Sequence, residues 1–303
     1  MIYLDYQATT PVAPEAANAM EPWIEERFAN PHSPSRWGNE AEAAIEVART
    51  RIEEAMGLKG GGIVFTGSAT EALNWALKGT VEKARDGDRD GRNRIITVAT
   101  EHAAVLDTCE WLAGQGIDLT VLPVGADGRL DLDLLARELD KRVLLVAVMQ
   151  VNNEIGATQP ISEIANMAHD AGALMLCDAV QAFGRVELCK GPDMVAVSAH
   201  KIHGPKGVGA LWMRKGSEPA PFIHGGGQER GFARGPCRRR FVWVSGLLQS
   251  SRTSGRRATT TTSRSYGKPR SRRSARVGQS METSATAITA ISTFAEKALM
   301  EHD

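Results

Sequence analysis

The sequence predicts an α/β fold built around a mostly parallel sheet. Short, continuously apolar runs recur between Ile2 and about Phe232, and helical patterns alternate with them. A strand that is apolar at every position is buried on both faces, which a parallel sheet covered by helices provides. Polar residues gather just after these runs, where open α/β sheets bind their ligands.

The elements follow in order. "EAEAAIEVARTRIEEAMG" (40–57) spaces its apolar residues as an amphipathic helix and stops at Gly57. "GIVFTG" (62–67) is a short strand, and "SATEALNWALKG" (68–79) is a helix with a Ser/Thr-rich start. "RIITVAT" (94–100) is a strand that leads into the helix "EHAAVLDTCEWLAGQG" (101–116), closed by glycines. "RVLLVAVMQ" (142–150) is a continuous apolar strand followed by "VNNEIG". "SEIANMAHDAG" (162–172) is a helix, with Ser162 as its expected N-cap. "ALMLCDAVQ" (173–181), "DMVAVSA" (193–199) and "GVGALWM" (207–213) are further strands. The last residues, "AITAISTFAEKALMEHD", fit a short helix.

A chain of 303 residues has room for two domains or one large α/β domain, and 42% hydrophobic content supports a substantial core. No apolar run has the length of a membrane span, and "MIYLDYQATTP" does not read as a secretory signal, so the expected location is the cytoplasm. The four cysteines (Cys109, Cys177, Cys189 and Cys237) show no CxxC and no disulfide framework. No metal site is expected.

The zero net charge conceals two different pieces. Pro236 to Ser280 holds eleven Arg and one Lys with no Asp or Glu, leaving 24 basic and 36 acidic residues elsewhere. Residues 1–235 are therefore read as one large domain, and 236–303 as an aberrant basic tail, disordered or poorly packed.

Chemistry enters at the strand ends. Lys201 follows a buried strand and lies between His200 and His203. A lysine so placed can form a Schiff base, because burial disfavours the ammonium and leaves a nucleophilic amine. Asp178 ends another apolar run, where a carboxylate needs a partner. Pyridoxal phosphate (PLP) would give it one, since a carboxylate against the pyridine nitrogen keeps that nitrogen protonated. "TGSATE" offers a phosphate cradle: Gly67 for close backbone approach, then Ser68 to Thr70 opening a helix with free N–H groups and hydroxyls. His102 can stack on a flat ring and handle protons. Asn153 and Gln181 can donate to the cofactor's phenolic oxygen, and Ser198 and His200 can hold its phosphate. Taken singly, each has a plainer reading, as a cap, a salt bridge or a snorkelling lysine. The set is what points to a cofactor.

"MIYLDYQATTP", "FTGSATEALNWALKG", "TEHAAV", "VNNEIG", "CDAVQAFG", "SAHKIHGPKGVGALW" and "HGGGQERGF" together resemble the PLP-dependent cysteine desulfurases of the class V aminotransferase group. The resemblance covers Met1 to about Phe232. It implies a type I, aspartate-aminotransferase-like large domain, with a small domain made from both chain ends. It implies that Lys201 carries the cofactor, Asp178 faces the pyridine nitrogen and His102 stacks on the ring. Ala69 and Thr70, with Ser198 and His200, would bind the phosphate, and Asn153 and Gln181 would contact the ring. Lys201 and His102 are the catalytic candidates. The implied reaction removes sulfur from L-cysteine, giving L-alanine and an enzyme persulfide that supplies iron–sulfur cluster assembly or other sulfur transfer. The implied assembly is a homodimer that meets a sulfur acceptor or scaffold protein.

The text departs from the family after Gly235. The family's nucleophilic cysteine loop and its carboxylate-clamping arginine are not identifiable, and the "GPCRRR" context of Cys237 does not match. The chain ends before the place where the loop is expected, so the small domain is read as incomplete. A single base lost from GGC ACC CTG CCG turns Gly-Thr-Leu-Pro into Gly-Pro-Cys-Arg, the text at Gly235 to Arg238, so the tail reads as frame-shifted. Weak or no turnover, exposed apolar surface and a poor dimer are expected of such a chain. The alternatives are another class V PLP enzyme (a selenocysteine lyase or a cysteine lyase) and a non-catalytic remnant whose Arg-rich tail binds nucleic acid. Nucleic-acid binding ranks below the frame-shift reading.

Overall fold

The computed structural model describes residues 2–88, 91–224 and 229. Its order is α1 (Pro14–Glu25), α2 (Arg36–Met56), β1 (Gly61–Thr66), α3 (Ala69–Lys83), β2 (Arg94–Val98), α4 (Ala103–Ala113), β3 (Asp118–Leu122), α5 (Leu132–Glu138), β4 (Val143–Ala147), α6 (Ile161–Asp170), β5 (Leu174–Asp178), β6 (Met194–Ser198) and β7 (Gly209–Arg214). The seven strands form one sheet in the order β1-β7-β6-β5-β4-β2-β3. Only β7 runs against its neighbours, pairing antiparallel with β1 and β6. The mostly parallel sheet read from the apolar runs is present.

Helices cover both faces. α2 and α6 supply Ile45, Ile52, Ile161 and Ile164 to one core, where they meet Ile63, Phe65 and Val146. α3 and α4 supply Leu73, Trp75, Leu77 and Leu112 to the other, against Val64, Ile95 and Leu144. Adjacent strand residues thus point into different cores, so no polar alternation was possible.

Local chemistry sets the helix ends. Ser35 Oγ accepts the Gly38 N–H to start α2, and Gly57 ends it in the left-handed region (φ 65°). Ser68 Oγ accepts the Glu71 N–H at 3.1 Å, while the Glu71 carboxylate reaches back to the Gly67 N–H at 2.7 Å. That reciprocal pair fixes where α3 begins. One expectation is corrected at α6: the helix starts at Ile161, with Pro160 as the cap residue, so Ser162 is already helical. The Ser162 hydroxyl instead donates to the Lys190 carbonyl at 2.8 Å.

Three elements had no clear signal. α1 begins on Pro14, the usual first-turn position for proline, and buries only Ala16. β3 is a half-exposed edge strand with no continuous apolar run. α5 is two turns long, capped by Asp131. No helix among the described residues is long and apolar enough to cross a membrane. The expected domain boundary at 235/236, the C-terminal helix and Cys237 lie outside the described residues.

Candidate active site

The carboxyl ends of β1, β2, β4, β5 and β6 surround one cavity of about 280 Å3. Ala69, Thr70, His102, Asn153, Asp178, Gln181, Ser198, His200 and Lys201 all line it. The structure therefore brings these nine residues to one cavity, while Gly67, also singled out in the sequence, is not among its lining residues.

The floor comes from β5 and β6. Asp178 is the last residue of β5 and is 6% exposed. Its Oδ1 accepts the Val180 N–H at 2.9 Å. Burial raises its pKa, opposed by that N–H and by His102 and Lys201. Ser198 ends β6, 3% exposed, and its Oγ is buried with no hydrogen-bond partner. A hydroxyl left this way is costly unless a ligand completes it.

The α3 N-terminus closes one side. First-turn N–H groups have no carbonyl one turn back, so Ala69 and Thr70 present theirs to whatever enters. The helix comes this close because β7 starts with Gly209. A Cβ there would lie 2.5 Å from the Ser68 carbonyl carbon and 2.6 Å from the Ala69 nitrogen. The close approach expected of Gly67 thus belongs to Gly209. Gly67 meets only the flexible Glu71 carboxylate, at 2.8 Å from a hypothetical Cβ.

His102 caps α4: its Nδ1 accepts the Ala104 N–H at 3.0 Å, which assigns the ring proton to Nε2. His200 Nδ1 lies 3.1 Å from Thr9 Oγ1, and burial together with Lys201 and Lys206 lowers its pKa. Lys201 Nζ donates to the Gln7 and Ala8 carbonyls at 2.6 and 2.9 Å. Its pKa is lowered by burial and by Arg185, against Asp178 and Asp5. His203 serves the backbone: at φ 63°, its N–H donates to Thr10 Oγ1 at 2.7 Å. The residues around Lys201 are thus held by the chain's first ten residues, which pack 190 positions away in sequence.

Gln181 is placed differently from the expectation of a free amide donor. Its Nε2 donates to the Gln7 carbonyl at 2.9 Å, and its Oε1 accepts from Arg185. Arg185 was not singled out in the sequence, because an arginine after "QAFG" reads as a surface residue. Glu101 was also missed. It is 7% exposed, its Oε1 takes the Met149 N–H at 2.6 Å, and its Oε2 is buried without a partner.

An orphaned hydroxyl, a helix N-terminus made close by a glycine, a buried carboxyl and a lysine facing one cavity fit PLP. The class-V aminotransferase family pattern matches residues 2–240, and the chain belongs to that family, which is PLP-dependent. It is 43% identical over 240 residues to the cysteine desulfurase IscS of Rickettsia felis, covering 77% of this chain and 58% of that protein. Among solved structures it resembles a NifS-like protein (35% identity, TM-score 0.76, 81% of this chain and 67% of that one). It also resembles SspA in complex with cysteine (36% identity, TM-score 0.76, 81% and 71%). The chain thus spans 58% of the length of the curated relatives it matches.

Proposed function

We propose that the chain is a PLP-dependent cysteine desulfurase, taking sulfur from L-cysteine and leaving L-alanine. One observation carries this: Lys201, Asp178, His102, the orphaned Ser198 hydroxyl and the α3 N-terminus open into the same cavity. The likeness to IscS and to the cysteine complex of SspA supports the substrate. When bound, PLP supplies an electron-accepting ring and an aldehyde carbon.

The chain's own residues divide the remaining work. Ser198 Oγ, the Thr70 hydroxyl and the Ala69 and Thr70 N–H groups take the phosphate, with His200 beside them. Asp178 would accept a hydrogen bond from the protonated pyridine nitrogen. Its burial matters here, because a charge-assisted hydrogen bond is stronger out of water. His102 keeps Nδ1 on the Ala104 N–H and so exchanges protons through Nε2. Asn153 and Gln181 line the same cavity and would contact the ring. Lys201 is the residue that would hold the aldehyde carbon and serve as the cavity's amine base; its lowered pKa keeps a larger neutral fraction. A homodimer, a cytoplasmic location and a sulfur-acceptor partner of the iron–sulfur assembly type belong to the same reading.

The test is chemical. Borohydride reduction of the PLP-loaded chain should fix the label on Lys201, and Lys201→Ala should carry none. Because the sequence shows no cysteine loop to take the sulfur, turnover of L-cysteine should be slow and depend on an added reducing thiol as acceptor, giving alanine and sulfide in equal amounts. Label on a different lysine, or alanine production by the Lys201→Ala variant at the wild-type rate, overturns the assignment.

A further inference from the structure

Arg185 lies outside the cavity lining yet touches three of the segments that shape it. Its Nη1 donates to Gln181 Oε1 and, at 3.3 Å, to the Gln181 carbonyl. Its Nη2 donates to the Lys201 carbonyl at 2.8 Å and to the Tyr6 carbonyl at 3.5 Å. The backbone brings it there through Gly184 (φ 74°), where a Cβ would lie 2.9 Å from Ile202 Cγ2. The guanidinium is partly buried, and its hydrogen-bond partners among the described residues are neutral oxygens. A planar fork with five fixed donors suits that task, and an ammonium does not.

We propose that Arg185 is a positioning residue that presets the cofactor-bearing lysine: it ties the Lys201 backbone and the Gln181 side chain into one frame and sets a fixed positive charge 2.8 Å from the Lys201 carbonyl. The proposal rests on the reading of Lys201 as the cofactor lysine. Two consequences follow from the contacts. With Gln181 Oε1 committed to Arg185, the glutamine's orientation is fixed and only its NH2 remains to donate; it holds Gln7 in this structure. The groups facing the Lys201 amine are Arg185, Asp178, Asp5 and the neighbouring His200, together with the Gln7 and Ala8 carbonyls. The two carboxylates and two carbonyls favour the ammonium. After burial, Arg185 is the largest influence against it.

The experiment separates charge from geometry. In the cofactor-free full chain, trace acylation of Lys201 is followed against pH by mass spectrometry, and PLP affinity is measured by absorbance titration. Arg185→Met should move the Lys201 midpoint to higher pH and weaken PLP binding. Arg185→Lys should keep the midpoint near wild type, since charge is retained, yet still weaken PLP binding about tenfold, the effect of one lost charge-assisted hydrogen bond. An unmoved midpoint in Arg185→Met overturns the charge role. Wild-type PLP affinity in Arg185→Lys overturns the framing role, and this variant decides the matter if Arg185→Met does not fold. Failure of Lys201→Ala to abolish cofactor attachment would instead strike the lysine assignment, leaving the amine titration readable on its own.

Discussion

Gly209→Ala tests the origin of the phosphate cradle. The added methyl would sit 2.5 Å from the Ser68 carbonyl carbon, 2.6 Å from the Ala69 nitrogen and 2.8 Å from the Val197 carbonyl oxygen. All three are backbone atoms, so no rotamer change relieves the contact. Relaxing to a normal carbon–carbon separation moves the start of α3 by about 1 Å relative to β6. Such overpacking costs roughly 1–3 kcal/mol of stability. A displacement of about 1 Å at a positioned group also costs up to ~100-fold in function, equivalent to about 2.8 kcal/mol. The expected result is PLP affinity reduced 10- to 100-fold (~10–100) with a lowered Tm, read by absorbance titration and thermal unfolding of the full chain. Gly67→Ala is the comparison: its methyl meets the far end of the Glu71 side chain and no backbone atom, so a smaller loss of PLP affinity than in Gly209→Ala is expected. A Gly209→Ala chain that binds PLP as tightly as wild type, with an unchanged Tm, would refute the claim that close approach builds the cradle.

Other perturbations carry their own signs. Ser198→Ala should raise the Tm of the cofactor-free chain, by removing an unsatisfied buried hydroxyl worth about 1–3 kcal/mol, and should weaken PLP binding; a lowered Tm in the cofactor-free chain would count against an orphaned hydroxyl. For Glu101, burial holds the folded-state pKa well above the ordinary 4.5, aided by Asp178 and opposed by the Met149 N–H. A raised folded pKa means stability present at acid pH is lost as pH climbs from 4.5 through the folded value, at up to about 1.4 kcal/mol per pH unit. Glu101→Gln should abolish that component of the alkaline fall in urea unfolding, and an identical pH profile would show that Glu101 does not titrate in this way. Arg49 makes a buried pair with Glu229 at 3.1 Å, and the same carboxylate accepts the Phe65 N–H at 3.0 Å. Arg49→Met should destabilise the fold by removing the cation that Glu229 pairs with in the core, read by urea unfolding, and an unchanged midpoint would show that the pair contributes nothing net.

The sequence made the site legible because the sheet concentrates chemistry at one edge. Once 94–100, 142–150, 173–181 and 193–199 were read as buried strands, the polar residues following them had one place to converge, and His102, Asn153, Asp178 and Lys201 did so. Gly209 and Arg185 were illegible for a different reason. The need for glycine at 209 arises only when β7 lies antiparallel between β1 and β6, a nonlocal fact. Arg185 acts on Lys201 across sixteen residues of chain and on Tyr6 across 179. Glu101 was overlooked because it was assigned to a helix, whereas α4 starts two residues later and leaves its carboxyl turned into the protein. β3 escaped because an edge strand exposed on one side has no continuous apolar run.

The reversed strand has a mechanical consequence. Ser198 pairs with Gly209 across the β6–β7 ladder, and the Ala199 N–H reaches the Val208 carbonyl at 3.2 Å. Lys201 therefore rides at the tip of a clasp fastened at both ends into the middle of the sheet. The ladder amides that lead into and out of the clasp, up to Ala199, should be among the last to exchange with deuterium. The start of the chain is pinned across this clasp, by the Lys201 amine on the Gln7 carbonyl and by the Thr10 N–H on the His200 carbonyl, so the two ends of the described fold lock one lysine between them.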